Sequence, residues 1–248
     1  MQDLKISLIT VTRNAEKTIS RCINSVIAQN YPNIEYIVID GASTDGTIQI
    51  IDSYKPHINF FLSKPDQGIY DAMNKGINAA TGDIIGILNA DDFFIYDDVL
   101  SNIAEAFKQQ DIGAVYANLN YINPNGSIIR KWKAGAYKDG LFNWGWMPPH
   151  PTFYAKKTLF EDLGLYDLKY GSAADYELML RFIHLKGVSV YYLNKVIVNM
   201  EIGGISNQNT KNRLRAWGFD YRAMRKNGIV RPYISMIFKP LRKIFQYL

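Results

Sequence analysis

The run Lys5-Ile-Ser-Leu-Ile-Thr-Val-Thr12 is rich in β-branched residues, too short for a buried helix, and gives way to Arg13-Asn14. That pattern predicts a strand buried on both faces and opening into a loop. From Ala15 to Gln29 the apolar residues Ile19, Ile23, Val26 and Ile27 recur at helical spacing until Tyr31-Pro32 stops them. The same logic predicts a strand over Glu35–Ile39 ending at Asp40, a turn over Gly41–Gly46, and a helix over Thr47–Tyr54. A short strand follows at Phe60–Leu62, then a helix over Tyr70–Ala80 closed near Gly82, and a strand over Ile84–Leu88 that runs into Asp91-Asp92.

Strand alternating with helix at this spacing predicts an α/β fold: an open, mostly parallel, Rossmann-like sheet flanked by helices, with ligands beyond the carboxyl ends of the strands. Asp40, Asp91 and the Thr12-Arg13 pair each follow a predicted strand directly, so three loops should converge on one crevice. The alternation weakens after residue 110. Ala114–Tyr121 reads as a strand, Asn123-Pro-Asn-Gly126 as a turn, Trp132–Trp146 as an aromatic, glycine-rich stretch, and Asp175–Leu185 as a helix. The expected organisation is one domain over 1–210, in two halves (1–110 and 111–210), followed by a helical extension over 211–248.

Charge separates the extension from the rest. The net +5 of the 248 residues conceals −4 over 1–210 and +9 over 211–248, where ten Lys and Arg face the single Asp220. In the extension these cations alternate with Trp217, Phe219, Ile237, Phe238, Ile244 and Phe245, which fits an anionic membrane surface or a homodimer contact. No compact nucleic-acid-binding module accompanies the charge, so nucleic acid is not an expected partner. The single cysteine, Cys22, forms no internal disulfide, and neither a signal region nor an apolar run of about 18 residues is present. A cytoplasmic location follows as the expectation, with peripheral attachment to the inner face of the membrane open.

Two loops carry the chemistry. Asp40-Gly-Ala-Ser-Thr-Asp-Gly-Thr47 offers a carboxylate at a strand end beside glycines and hydroxyls, suited either to a nucleotide or to capping the next helix. Asn89-Ala-Asp-Asp92 delivers adjacent carboxylates to an open strand end; these suit Mg2+ or Mn2+ held jointly with phosphate oxygens, or a helix cap.

Together with Thr10-Val-Thr-Arg-Asn14, Asp66-Gln-Gly-Ile-Tyr-Asp-Ala-Met-Asn-Lys-Gly76 and Ser172-Ala-Ala-Asp-Tyr-Glu-Leu-Met-Leu-Arg181, these motifs resemble the family 2 nucleotide-sugar glycosyltransferases of GT-A fold, over about residues 4–205. The resemblance implies that Asp40 contacts the base, that Thr10, Thr12 and Arg13 line the same pocket, and that the segment from Asp66 to Lys75 closes over the nucleoside. Asn89-Ala-Asp91 stands where the family has Asp-X-Asp, so Asp91 would hold the cation. Asp175 matches the general base, with Glu177 the competing carboxylate. Two departures stand out. Asn89 replaces the first aspartate, and Met73 stands where many members carry arginine, which shifts any contact made there to Lys75 or Arg13.

Three further stretches are candidates. His150, between prolines in Met147-Pro-Pro-His-Pro-Thr152, would ligate the metal, contact the acceptor or serve structure. Trp146 would line an acceptor groove or belong to the core, and Gly203-Gly204-Ile-Ser-Asn207 would close over the donor or link domains. The expected function is an inverting, metal-dependent transfer from a nucleotide diphosphate sugar, uridine diphosphate foremost, to a saccharide or lipid-linked hydroxyl in cell-surface polysaccharide synthesis. The rivals are a catalytically weak nucleotide-binding scaffold and a sugar nucleotidyltransferase, the latter disfavoured by the lack of glycine around Thr12-Arg13-Asn14. A dinucleotide-dependent dehydrogenase is excluded by the missing Gly-X-Gly-X-X-Gly after the first strand.

Overall fold

A computed structural model describes residues 4–109, 111–202, 210–244 and 246. Its elements follow in chain order. The first half holds β1 (Ile6–Thr12), α1 (Ile19–Ile27), β2 (Ile34–Asp40), α2 (Thr47–Ser53), β3 (Phe60–Ser63), α3 (Ile69–Ala79), β4 (Ile84–Ile87), β5 (Asp92–Phe94) and α4 (Val99–Gln109). The second holds β6 (Ala114–Ile122), β7 (Ile128–Trp132), β8 (Tyr154–Lys156), α5 (Lys157–Leu163), α6 (Ala174–Met179), β9 (Val190–Glu201), α7 (Thr210–Lys226) and α8 (Pro232–Ile244).

One sheet runs through both halves in the order β3-β2-β1-β4-β8-β6-β9-β5, with β7 on β6. β3, β2, β1 and β4 are parallel, as the alternation requires. Beyond β4 the sheet is mixed: β8 runs antiparallel to both β4 and β6, β5 antiparallel to β9, and β6 parallel to β9. The chain moves outward from β1 to β3 and then returns to the other side of β1 as β4. That reversal of direction opens a crevice at the carboxyl ends of β1 and β4.

All seven residues of β1 are buried. Period-two alternation sends Ile9 and Val11 to a core shared with Met73 and Ile77 of α3 and with α6, and Ile6 and Leu8 to a second core with Ile19, Cys22 and Ile23 of α1. At the edge remote from the crevice, Glu35 is buried. It accepts from Lys5 Nζ at 3.0 Å, Ser7 Oγ at 2.5 Å, Thr81 N at 2.7 Å and Thr81 Oγ1 at 2.5 Å. Burial acts to raise its pKa, but these donors prevail and hold the carboxyl at about 2.

The helix expected over Asp175–Leu185 begins as α6 and continues as a π-turn over Leu180–Leu185. The extension is packed on the domain. Ala223, Met224, Asn227, Ile229 and Ser235 are buried, and Phe219 of α7 lies against Gly171. Gly171 has φ +47°, and a Cβ there would sit 2.5 Å from the Phe219 ring, so this close approach needs glycine.

Candidate functional site

The strand ends deliver the site residues side by side. Thr12 is registered against Asp40, and Asp40 against Ser63. After β4 the backbone keeps tracking β1, with Leu88 N bonded to Ile9 O at 3.0 Å and Ala90 N to Val11 O at 3.2 Å. Asp91 therefore leaves the sheet beside the end of β1.

The Asp40 carboxylate is buried and accepts from Ser43 Oγ, from Ser43 N at 2.9 Å and from Ser63 Oγ at 2.6 Å. Around this anchor the loop turns through Ala42 at φ +57°, and Asn14 lies at φ +51°, left-handed conformations that L-residues rarely adopt. Asn14 Oδ1 accepts from Thr44 N at 2.8 Å, and Asp45 and Thr47 bind the backbone of Glu16 and Ala15, which sews the β1 and β2 loops together. A Cβ on Gly41 would stand 2.3 Å from Asp66 Oδ2 and 3.4 Å from Arg13 Cδ. Arg13, Gly41 and Asp66 thus share one rim.

Thr12 Oγ1 and Asn89 Oδ1 are buried without a hydrogen-bond partner. Thr10 is not part of that rim. It is fully buried against α1, accepting from Tyr36 Oη at 3.0 Å and lying 3.7 Å from Cys22 Sγ, so it braces the floor instead of lining a pocket. Lys75 is engaged by Asp71 at 2.9 Å and by Pro65 O at 2.9 Å, and it fixes the loop ahead of α3.

Of the two adjacent carboxylates, Asp92 is fully buried, and burial, with Asp91 alongside, pushes its carboxyl well above the usual range. Asn89 Nδ2 donates to it at 3.0 Å. Burial also raises Asp91, and the nearby Glu201 adds to the effect while Arg21 opposes it. Arg21 bonds Glu201 at 2.6 Å and lies 4.4 Å over the Phe93 ring. Among the described residues, no three His, Cys, Asp or Glu side chains group as a metal site. The Gly203–Asn207 stretch lies outside the described residues.

Across the crevice, Asp175 is half-buried at the start of α6. Its charge and hydrogen bonding act on Tyr70, whose hydroxyl burial raises well above its ordinary pKa, and its charge acts on Tyr166. Tyr166 Oη lies 2.8 Å from Nε2 of the buried His150. Burial lowers the His150 pKa, with Asp175 opposing. A cleft of about 270 Å³ lined by Gln67, Gly68, Ile69, Tyr70, Gly171 and Ser172 opens next to this cluster. The loop from Asp66 to Tyr70 therefore joins the rim beside Arg13 to the Asp175 end.

Glu177 and Trp146 are not brought to the crevice. Glu177 is fully buried, bound by Arg181 at 3.0 Å and by Asn227 at 3.2 Å, because two residues along a helix turn it to another face. Trp146 is core, packed on Tyr116, Tyr137 and Phe142 with its Nε1 donating to Ala134 O at 2.8 Å. Sequence reasoning passed over Tyr70, Tyr166, Arg21, Glu201 and Ser63. Tyr70 lay within a recognised motif, whereas Tyr166 and Glu201 carry no local signal because the sheet brings them in from afar.

The parallel-then-mixed sheet, with its crevice at the β1/β4 reversal, is the GT-A fold of nucleotide-sugar glycosyltransferases. Residues 7–166 match the model of Glycosyl transferase family 2, and the chain belongs to that family. It is 29% identical over 206 residues to a PGL/p-HBAD biosynthesis glycosyltransferase of Mycobacterium bovis, covering 81% of this chain and 78% of the relative. It is 33% identical over 186 residues to an uncharacterized glycosyltransferase of Mycobacterium tuberculosis, covering 71% and 68%. In fold it is similar to S. aureus TarS 1-349 in complex with UDP-GlcNAc, with TM-score 0.69 and 18% identity, over 90% of this chain and 66% of that one. It is also similar to the mannosyltransferase PcManGT from Pyrobaculum calidifontis in complex with GDP-Man and Mn2+, with TM-score 0.69 and 19% identity, over 96% and 73%.

Proposed function

We propose that the chain moves a sugar from a nucleotide diphosphate donor, a uridine diphosphate sugar first among them, to a hydroxyl of a saccharide or lipid-linked acceptor. The reaction inverts the anomeric centre and serves the synthesis of cell-surface polysaccharide or glycolipid. Names of the relatives support this reading: a PGL/p-HBAD biosynthesis enzyme in sequence, and proteins holding UDP-GlcNAc or GDP-Man with Mn2+ in fold.

The observation that carries it is the placement of Asp175. It stands half-buried between Tyr70, Tyr166 and His150 beside a cleft, while Glu177, the nearest carboxylate in sequence, is sealed inside by Arg181 and Asn227. A carboxylate so placed suits a single displacement, in which it takes the proton from the acceptor hydroxyl as that oxygen attacks the anomeric carbon. A double displacement would need a second, nucleophilic carboxylate.

At the donor end, Thr12 Oγ1 and Asn89 Oδ1 are buried acceptors still to be satisfied, and Arg13 and Asp66 share the rim where the nucleoside would lie. Asp40, anchored by Ser43 and Ser63, would shape the loop and offer the base its remaining lone pair. The oxygen-rich end of β4 fits a hard divalent cation shared with phosphate oxygens, with Asp91 as the protein carboxylate. Mn2+ or Mg2+ held there would neutralise charge on the departing diphosphate. Asp92, buried and raised, would stay out of that coordination and support the loop.

A panel of nucleotide sugars, offered with and without Mn2+ and with simple saccharide acceptors, tests the reading. Release of nucleoside diphosphate from at least one donor is expected. Binding without release would identify a scaffold instead.

A further inference from the structure

α8 is fixed on one side and bare on the other. On the inner side Ser235 Oγ donates to Asn143 O at 2.6 Å, Arg242 Nε to Trp144 O at 3.0 Å and Lys239 Nζ to Asp220 at 2.7 Å. The outer side carries Tyr233, Ile237, Leu241 and Ile244, spaced four, four and three residues apart and between 42% and 68% exposed. That spacing sets them on a single stripe. Trp217 of α7, 54% exposed, stands next to it, and with Tyr233, Met236, Ile237, Pro240 and Leu241 it frames an apolar groove of about 540 Å³. Val230, at the turn between the helices, is 79% exposed. A continuous apolar face of this kind marks a binding surface.

The charge around the stripe selects the occupant. Arg215, Arg225 and Arg231 are exposed on or beside the same helices, and Asp220, the one acidic residue of 211–248, is already paired with Lys239. A second copy of this chain would set one basic face against another, on segments that each carry +9 over 211–248, and be repelled. A nucleic acid would use the cations and leave the apolar stripe in water. An anionic bilayer surface satisfies both features: the stripe enters the headgroup boundary while the cations meet the phosphates. No helix among the described residues is long and apolar enough to cross a membrane, so this contact lies on the surface of the bilayer.

We propose that the α7–α8 face docks the protein on an anionic lipid bilayer. The face is coupled to the crevice. Lys239 Nζ lies 3.6 Å over the ring of Tyr176, the residue after Asp175, and Phe219 abuts Gly171 in the turn that lines the cleft. Docking therefore sets the crevice at a fixed place relative to the bilayer, which suits a lipid-linked acceptor; that consequence, unlike the docking itself, rests on the function proposed above.

The test is co-sedimentation of the full chain with phosphatidylcholine vesicles, with and without phosphatidylglycerol, at low and high salt. Binding to the anionic vesicles at low salt is expected, weakened by salt and by omission of phosphatidylglycerol. Ile237→Glu combined with Leu241→Glu changes exposed positions and should keep the melting temperature while lowering binding by at least about tenfold. Should the glutamates disturb the fold, the serine pair at the same positions serves the comparison. Wild-type protein that stays in the supernatant over anionic vesicles at low salt overturns the proposal. So does a folded glutamate variant that sediments as the wild type does, and so does a dimer in sedimentation velocity that the variant dissolves while vesicles recruit neither protein. None of these readouts depends on turnover, so failure here is distinct from failure of the transferase reading.

Discussion

Arg181 Nη2 lies 3.0 Å from Glu177 Oε2 inside the protein, with the glutamate side chain fully buried and the arginine side chain 12% exposed. The same guanidinium donates to Leu163 O, to Gly164 O at 2.7 Å and to Leu165 O at 2.8 Å. It therefore holds the segment that presents Tyr166 to His150. Glu177→Gln leaves this cation without its counter-charge, and removing one partner of a buried pair costs about 3 kcal/mol or more. A clear drop in melting temperature is expected, with turnover of the folded fraction reduced far less than by a change at Asp175. Calorimetry and activity on the same preparation separate the two effects.

Asp91 and Asp92 should part company in a titration of nucleotide with Mn2+. Asp91→Asn is expected to abolish the metal-dependent component of binding while the fold is retained. Asp92→Asn keeps the hydrogen-bonding shape of a carboxyl that burial already holds high, and it should leave that component intact. Unchanged Mn2+ dependence in the Asp91 variant would remove Asp91 from the cation site.

Gly41→Ala tests the shared rim. Its new Cβ would fall 2.3 Å from Asp66 Oδ2, so the Asp66 carboxylate must shift. Donor affinity is expected to fall about tenfold, equivalent to ~1.4 kcal/mol, with the melting temperature little changed. Equal affinities would show that Asp66 does not shape the donor pocket.

Acid stability reports on Glu35, whose folded pKa of about 2 lies below its ordinary 4.5. Because the folded value is depressed, the stabilisation from Lys5, Ser7 and Thr81 is complete above pH 4.5 and is lost as pH falls toward 2. Glu35→Ala should cost about 1–3 kcal/mol at neutral pH by stranding those donors. It should also flatten the acid limb of a denaturation profile. An acid limb as steep as the wild type's would assign the titration to other groups.

The strands and helices of the first half were legible because each buries an uninterrupted or periodic apolar face: β1 matches its expected span to within one residue, and α3 begins one residue early. The three-residue strands β5 and β8 were not legible, being too short for any period to register. Asp40, Asp91 and Asp175 could be picked out as polar residues at the ends of apolar runs or by motif. Side-chain direction could not. Thr10 points into the α1 core because strand alternation pairs it with Leu8, and Trp146 turns inward because its indole nitrogen finds Ala134 O. Tyr166 and Glu201 reach the site through tertiary packing alone.

The role proposed for Asp175 is activation of the acceptor hydroxyl in a family 2 transfer. Asp175→Asn, assayed with the donor that the wild type uses and with donor affinity measured in parallel, tests it most directly. Donor affinity is expected to stay near that of the wild type while turnover falls by at least about 10²-fold, the loss typical of a missing general base. Turnover within a few-fold of the wild type, or a larger loss in Glu177→Gln than in Asp175→Asn, would contradict the assignment.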